Sequence, residues 1–447
     1  MIRDGDTIAA MATAPGRGAV GLVRISGPNV PSLIQAIVGH DLVPRRAEVV
    51  EFKAASGIPI DQGLALYFPA PRSYTGEHVL ELHGHGGVVV QRLVLQRCLA
   101  LGARAAEPGE FTQRAFFNNK LDLAQAEGVA DLIDAATAVA ARSAMRSLTG
   151  QFSQAIRALV QRVVDLRVLV EGTIDFPEEE IEFLEQGQAA AQLNTIRSAL
   201  AEVLRASRQG SLLREGARIV LVGRPNVGKS SLLNRLAGDE LAIVTDVPGT
   251  TRDLVRQAID LEGVPAFVID TAGLRESSDP VEQIGIARTW AAAGDADLVL
   301  LVVDTRQGVT PEDEAILSRL PPALPRLIVH NKIDLVGKRP RVNRIGTMTD
   351  IWVSAKDGLG VDALREALSA AIGWGGTEEG VFLARERHLS ALLTAAEHLA
   401  EAGRAGSRLE IYAEELRLAQ DALNTITGEF TADDLLGEIF GRFCIGK

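Results

Sequence analysis

The spacing of apolar positions changes along the chain and divides it into four stretches. In residues 1–118, short apolar runs alternate with turn residues. Thr7–Ala14, Ala19–Ile25, Glu48–Lys53, Leu64–Phe68 and Val79–His83 read as strands, and Val30–Val38 and Val88–Leu101 as helices. Strands that do not alternate regularly with helices predict an α+β domain. In residues 119–214 the apolar spacing lengthens to three and four, as in Gln125-Ala126-Glu127-Gly128-Val129-Ala130-Asp131-Leu132-Ile133, which predicts long amphipathic helices. Residues 215–376 return to apolar runs at Arg218–Val222, Phe267–Ile269, Leu298–Val303, Leu327–Val329 and Ile351–Val353. Helical patterns separate these runs, so a mainly parallel α/β sheet is expected. Residues 377–447 are helical again, at Glu379–Leu399 and Arg408–Asn424. The two helical stretches are alike, and the α/β unit is expected to be inserted into one discontinuous helical domain, because domain termini often lie close together. The predicted fold class is therefore multidomain, α+β followed by helical and α/β parts.

The chemistry is concentrated in the third stretch. Gly223-Arg224-Pro225-Asn226-Val227-Gly228-Lys229-Ser230 follows an apolar strand and precedes Ser231-Leu232-Leu233-Asn234-Arg235-Leu236, which has helical spacing. Strand, glycine loop and helix are the context of a phosphate-binding loop. Its backbone N–H groups converge on phosphate oxygens above the positive end of a helix dipole. Lys229 would reach the outer phosphates and Ser230 would ligate Mg²⁺. Asp270-Thr271-Ala272-Gly273 ends a second apolar run, placing a carboxylate near a Mg²⁺-bound water and a glycine N–H near the γ-phosphate. Asn331-Lys332-Ile333-Asp334 ends a third; a carboxylate there accepts from guanine N1–H and its 2-amino group together, a donor pair adenine lacks. Ser354-Ala355-Lys356 closes the base pocket. Motifs in this order at strand ends indicate a GTPase. Between them, Thr245, Asp246, Val247, Pro248, Gly249, Thr250 and Thr251 form a switch loop, with Thr251 a Mg²⁺ ligand only while the γ-phosphate is present.

Two positions set this site apart. Leu274 stands where many regulatory GTPases carry the glutamine that orients the attacking water. An apolar side chain cannot do so, and Glu282, in Val281-Glu282-Gln283-Ile284-Gly285, is the nearest suitable carboxylate. Asn226 lies within the phosphate loop, where an inserted arginine often neutralises charge between the β- and γ-phosphates. Its carbonyl, with oxygens of Thr245, Val247 and Thr250, could hold a monovalent cation there instead.

Composition narrows the picture. No charge-free apolar run approaches a membrane span, and the N-terminus lacks a signal-peptide layout, so a cytoplasmic protein is expected. Cys98 and Cys444 are the only cysteines, too few for a disulfide framework or a zinc cluster. A net charge of −12 means that nucleic acid must be met by a local basic surface. One such run, Lys338-Arg339-Pro340-Arg341-Val342-Asn343-Arg344, reads as a basic loop, more simply a solvated surface than an RNA contact. In the first stretch, His83 and His85 share a strand face without an established ligand spacing, so Gly84–Gly87 reads better as a turn into a helix than as a metal site. Gly373-Trp374-Gly375-Gly376 superficially fits the loop of an RNA-binding KH module, as in ribosome-assembly GTPases, but the surrounding pattern does not.

The whole chain resembles the bacterial tRNA-modification GTPase family MnmE, also called TrmE. The resemblance rests on Tyr74-Thr75-Gly76-Glu77, Pro108-Gly109-Glu110-Phe111-Thr112, Asn119-Lys120-Leu121-Asp122-Leu123, Gly249-Thr250-Thr251-Arg252-Asp253 and the terminal Phe443-Cys444-Ile445-Gly446-Lys447. It implies an N-terminal domain that binds 5-formyltetrahydrofolate or a related one-carbon folate and forms a homodimer. Folate contacts carry over to Arg24, Glu81, Lys120 and Lys447. It implies K⁺ on Asn226, Thr245, Val247 and Thr250, catalysis by Glu282, and a role for Cys444 in the modification. It also implies work with the FAD-dependent protein MnmG (GidA), as a heterotetramer, on the wobble uridine of certain tRNAs. Val247-Pro248 departs slightly from the family's switch loop and stiffens one K⁺ ligand.

Overall fold

The computed structural model describes residues 5–175, 188–237, 256–270, 296–321, 324–345, 348–375, 380–429, 439–441, 443 and 446. It divides into two compact units, one of Met1–Ala130, Leu148–Gln161 and Gln420–Lys447, the other of Asp131–Ser147 and Arg162–Ala419.

In the first unit, β1 (Ile8–Met11), β2 (Val20–Ser26), β3 (Glu48–Lys53), β4 (Pro59–Phe68), β5 (Val79–His85) and β6 (Arg104–Ala105) form one sheet in the order β3-β4-β5-β2-β1-β6. Neighbours are antiparallel except β1 and β6. Alternation sorts the faces. Val23 and Ile25 of β2 are buried, whereas Arg24 is half-buried on the opposite face. Helix α1 (Val30–Ile37) buries Val30, Leu33, Ile34 and Ile37, one helical stripe, in the core that holds Val23, Ile25, Phe52 and Leu80. Helix α2 (Val88–Ala100) adds Val94 and Cys98 to that core. The expected strands and helices are present within a few residues. Strand β4 begins earlier than its apolar run because Asp61 and Gln62 pair with β3 through backbone, which leaves no hydrophobic signal.

Helices α3 (Glu110–Phe117), α4 (Leu123–Ile133), α5 (Ala138–Leu148), α6 (Gln151–Asp175) and α7 (Gln188–Glu215) fill the next stretch. The second unit then builds a sheet from β7 (Ala217–Val222), β8 (Arg256–Leu261), β9 (Val264–Asp270), β10 (Leu298–Asp304), β11 (Arg326–Asn331), β12 (Arg341–Ile345) and β13 (Met348–Trp352). Their order is β12-β13-β11-β10-β7-β9-β8. All pairs are parallel except those of the two edge strands, β8 and β12. Strand β10 is buried at every position, which is why it reads as one unbroken apolar run. Helices α8 (Lys229–Ala237), α9 (Pro311–Ser318) and α10 (Val361–Ala371) follow β7, β10 and β13. Helix α11 (Glu386–Ala405) packs on α7, and α12 (Leu409–Thr427) follows it.

One expectation changes. Lys338–Arg344 is not wholly a loop: from Arg341 it forms β12, paired with β13 from Arg341↔Trp352 to Ile345↔Met348. Its pairing is backbone-driven, and its two apolar residues, Val342 and Ile345, stand three apart among polar ones, so no period-2 alternation announced it. Trp374 of the Gly-Trp-Gly-Gly stretch is a core residue, packed with Leu213, Val381 and Leu383, not the tip of an RNA-binding loop.

Candidate functional site

The predicted nucleotide motifs of the second unit fall at the carboxyl ends of parallel strands: Gly223–Ser230 after β7, Asp270 closing β9, Asn331 closing β11 and Ser354 just past β13. From β7 the chain goes to β8 and β9 on one side, then crosses to β10 on the other. Ligand crevices of open α/β sheets lie outside such a reversal.

The phosphate loop is fixed by close packing. Gly223 has φ +140°, and a Cβ there would lie 2.3 Å from the carbonyl oxygen of Val302. Gly228 has φ +99°, with the Asn331 amide nitrogen 2.3 Å from a would-be Cβ. Asn226 also takes a left-handed φ of 62°, which asparagine tolerates better than most residues. Lys229 opens α8 almost buried, and its Nζ donates to the carbonyls of Gly223 at 2.7 Å and Arg224 at 3.1 Å. The loop thus wraps around its own lysine. Ser230 and Ser231 stand exposed at the first turn of α8.

Asn331 joins this loop to the loops that follow β11 and β13, where the sequence places the expected base contacts. Its side chain is buried; Nδ2 donates to the Val227 carbonyl at 2.9 Å. Its Oδ1 accepts from the N–H of Lys332 at 2.8 Å and of Ala355 at 3.0 Å. Lys332 in turn donates from Nζ to the Asn226 carbonyl at 2.5 Å and to Asp304 Oδ2 at 3.0 Å. Arg306 clasps the same carboxylate, with Nη2 2.6 Å from Oδ2. These Arg306 hydrogen bonds, aided by Lys332 and opposed by burial, hold the Asp304 carboxyl well below the ordinary carboxylate range. Asp334 Oδ1 accepts from the buried Ser354 hydroxyl at 2.8 Å. Its Oδ2 has no hydrogen bond among the described residues. Arg235 on α8 donates to the carbonyls of Ala355 at 3.2 Å and Lys356 at 2.6 Å, tying the last loop to the phosphate helix. Reading motifs missed Asp304, Arg306 and Arg235. Asp304 had a signal: it ends an apolar strand, as Asp270 and Asn331 do.

The Asp270 backbone ends β9 in register with Leu221 of β7. Its side chain, Thr245 to Thr251, Thr271 to Gly273, Glu282, Cys444 and Lys447 lie outside the described residues.

In the first unit, Arg24 Nε donates to Glu81 Oε1 at 2.9 Å, and its guanidinium lies 5.6 Å from the Tyr74 ring centre. Arg24 Nη1 also reaches the carbonyl of Gly446, the neighbour of Lys447, at 3.5 Å. Lys120 is not at that pair; its Nζ donates to the Pro71 carbonyl at 2.9 Å. His83 Nε2 lies 3.3 Å from Glu81, and His85 Nδ1 2.7 Å from Asp61. Gly84 and His85 close β5, so the expected glycine turn shortens to Gly86-Gly87, which leads into α2 with Gly87 as its N-cap. Much of the Tyr74–Glu77 motif is structural. Glu77 accepts from Ser26 at 2.7 Å and from Arg114 at 3.0 Å, and Thr75 meets Ser26 at 2.7 Å.

Residues 7–120 match the family described as GTP-binding protein TrmE N-terminus, and residues 123–444, which span the whole phosphate-loop unit, match the MnmE helical domain. The tRNA modification GTPase MnmE of Nitrosomonas europaea is 62% identical, over 99% of this chain and 99% of that one. The protein of the same name from Thiobacillus denitrificans is 62% identical over 99% and 98% of the two chains. Among solved structures, the G domain of the T. maritima FeoB iron transporter is 28% identical over 35% of this chain and 98% of that one. Its TM-score is 0.26, and it adds nothing to the assignment. Full-length identity at this level, with both family models matched, settles kinship: the chain belongs to the MnmE (TrmE) family of tRNA modification GTPases.

Proposed function

We propose that this protein is a K⁺-stimulated GTPase that acts as a homodimer with the FAD-dependent partner MnmG (GidA), in a cytoplasmic heterotetramer. Together they would add a carboxymethylaminomethyl-type group at C5 of the wobble uridine, position 34, of certain tRNAs. In this reading residues 1–118 bind folate and dimerise, 119–214 and 377–447 make one helical domain, and 215–376 hydrolyse GTP. The observation that carries the GTPase part is the Asn331 bridge, because it holds the phosphate loop and both base-recognition loops in one hydrogen-bonded frame.

Within that frame Asp334 accepts from the guanine N1–H and 2-amino donors with its two oxygens, Oδ2 and the lone pair of Oδ1 that the Ser354 hydroxyl does not take. Lys229, drawn over the loop carbonyls, is placed to shift onto phosphate oxygens of higher charge. Glu282 orients the attacking water in place of the glutamine that Leu274 replaces. Mg²⁺ would be held by Ser230 and Thr251, and K⁺ by Asn226, Thr245, Val247 and Thr250; oxygen donors are what such hard cations take. Of these, Ser230 is exposed at the loop mouth, and the Asn226 side-chain amide has no hydrogen bond among the described residues, so both donors fit. When bound, the cations offset the charge that develops between the β- and γ-phosphates. The Arg24–Glu81 pair beside Tyr74 offers donor, acceptor and ring face to a pterin with amino and carbonyl groups, with Lys120 and Lys447 the further contacts.

Mass analysis of wobble nucleosides from cells lacking this chain tests the tRNA role; unmodified uridine is expected, and an unchanged profile would remove it. GTP turnover should be faster in K⁺ than in Na⁺, and equal rates would remove the monovalent cation.

A further inference from the structure

The outer edge of the second unit's sheet carries a concentration of positive charge that the nucleotide site does not use. Lys338, Arg339, Arg341 and Arg344 lie on β12 and the residues leading into it, all exposed, on a chain whose net charge is −12. Lys338, Arg339 and Arg344 have no ion pair among the described residues. Basic edge residues also discourage strand-to-strand aggregation, so charge alone would settle nothing.

The fourth cation adds the second observation. Arg341 pairs across the ladder with Trp352 of β13, which pairs with His330 of β11. Directly paired residues share a face, so the three form a row. The Arg341 guanidinium lies 3.8 Å from the Trp352 ring centre, and His330 stacks on the same indole at 4.3 Å and 5°. Asp350 accepts from or shares a proton with His330 at 3.1 Å. Burial, helped by Arg341 and Lys338 and opposed by Asp350, lowers the His330 pKa, so the row's positive charge comes from the arginine. A guanidinium held flat on a ring keeps its in-plane N–H donors for other acceptors. Repelling an edge does not require an arginine held in one orientation, whereas a fixed guanidinium suits two-pronged contact with a phosphate. The row also touches the guanine loops, since His330 precedes Asn331 and Trp352 lies two residues before Ser354.

We propose that this edge, with Lys338 and Arg339 leading into it, Arg341 on one face of β12 and Arg344 on the other, is a phosphate-backbone docking surface for structured RNA, namely the tRNA that the protein serves. This rests on the tRNA-modifying reading above. Bonds to phosphate carry no sequence information, so the surface would position tRNA without selecting it.

The test uses the full-length protein and bulk unmodified tRNA, with binding measured across a salt series. In Lys338→Ala/Arg339→Ala/Arg344→Ala, affinity at about 0.1 M salt should fall by about two orders of magnitude. The slope of log affinity against log salt should flatten by about two to three, near one for each phosphate no longer bonded. The single change Arg344→Glu should weaken binding in the same direction. Unchanged affinity and slope in both variants would overturn the surface, as would aggregation of the variants with tRNA binding intact. Weaker binding of the FAD-dependent partner alone would reassign the edge to a protein and overturn it too. Wild-type protein that modifies tRNA while the variants bind it equally well defeats only the docking surface. Wild-type protein and partner that leave tRNA unmodified defeat the functional reading itself, and a wild type without salt-dependent tRNA binding defeats the surface whatever modification shows.

Discussion

Replacing Asn331 with alanine should cost this protein about two decades of guanine-nucleotide affinity. The side chain makes three hydrogen bonds, to Val227, Lys332 and Ala355. The Lys332 N–H is only half-buried and water can replace its partner. The Val227 carbonyl and the Ala355 N–H belong to residues 4% exposed, and truncation leaves both inside without one. A buried polar group stripped of its partner costs about 1–3 kcal/mol, so the pair is worth roughly 2–6 kcal/mol. Water entering the space left by the amide returns part of that, and about 3 kcal/mol remains to favour parted loops over joined ones; binding needs them joined, so affinity falls with that population, by a factor of about 100. Asn331→Asp separates the two halves of the bridge. Its carboxylate still accepts from Lys332 and Ala355, but its second oxygen faces the Val227 carbonyl where an N–H₂ stood, and neither can donate. That variant should keep the base loops joined and lose the tie to the phosphate loop, giving an intermediate loss. Titration of full-length protein with a fluorescent N-methylanthraniloyl GDP, in the presence of Mg²⁺, reads both. Binding by Asn331→Ala within about threefold of wild type would refute the view that this side chain couples the loops.

Asp304→Asn should weaken the same nucleotide by a smaller factor, about five- to tenfold, because Lys332 loses the charge that anchors it beside Asn226; equal titration curves would contradict this. Gly210→Ala tests packing behind the site: its Cβ would lie 1.6 Å from the Phe382 carbonyl oxygen, a backbone atom that cannot swing aside. Calorimetry should show the second unit destabilised by about 2 kcal/mol or more, and an unchanged melting temperature would contradict the helix contact. In the first unit, burial pushes the Glu110 carboxyl up, but hydrogen bonds from Arg104, the Glu107 N–H and Arg114 outweigh it and hold the pKa below its ordinary 4.5. A carboxylate whose folded pKa is depressed stabilises the fold above its unfolded pKa, and that contribution disappears as pH falls through the folded value. Urea unfolding between about pH 7 and pH 3 should therefore show stability falling below about pH 4.5 in wild type, with a shallower fall in Glu110→Gln. Arg114→Ala, which leaves the buried Glu110 short of a partner, should cost about 3–5 kcal/mol at neutral pH, and a loss under 1 kcal/mol would contradict the network.

The sequence by itself determined whatever depends on local spacing. An unbroken apolar run fixed β10 as a central strand, because a strand covered on both faces has no polar side to show. Glycine, lysine and serine at their intervals fixed the phosphate loop, because that turn needs backbone conformations few other residues accept. The residues proposed to recognise guanine stand at places legible for the same reason, each being a short run at the end of an apolar stretch. What only the tertiary structure decided involves partners far apart in the chain. The bonds of Asn331 reach Val227 and Ala355, 104 and 24 residues away, and no pattern within one element announces them. Asp304 looked like any acidic strand end until the fold brought Lys332 to it. The basic run after Gly337 read as loop because β12 is an edge strand held by backbone bonds, and Arg341 gains its row with Trp352 and His330 only when β13 and β11 line up beside it. Periodicity records which side of an element meets the core. Which element lies across from it is a property of the folded chain.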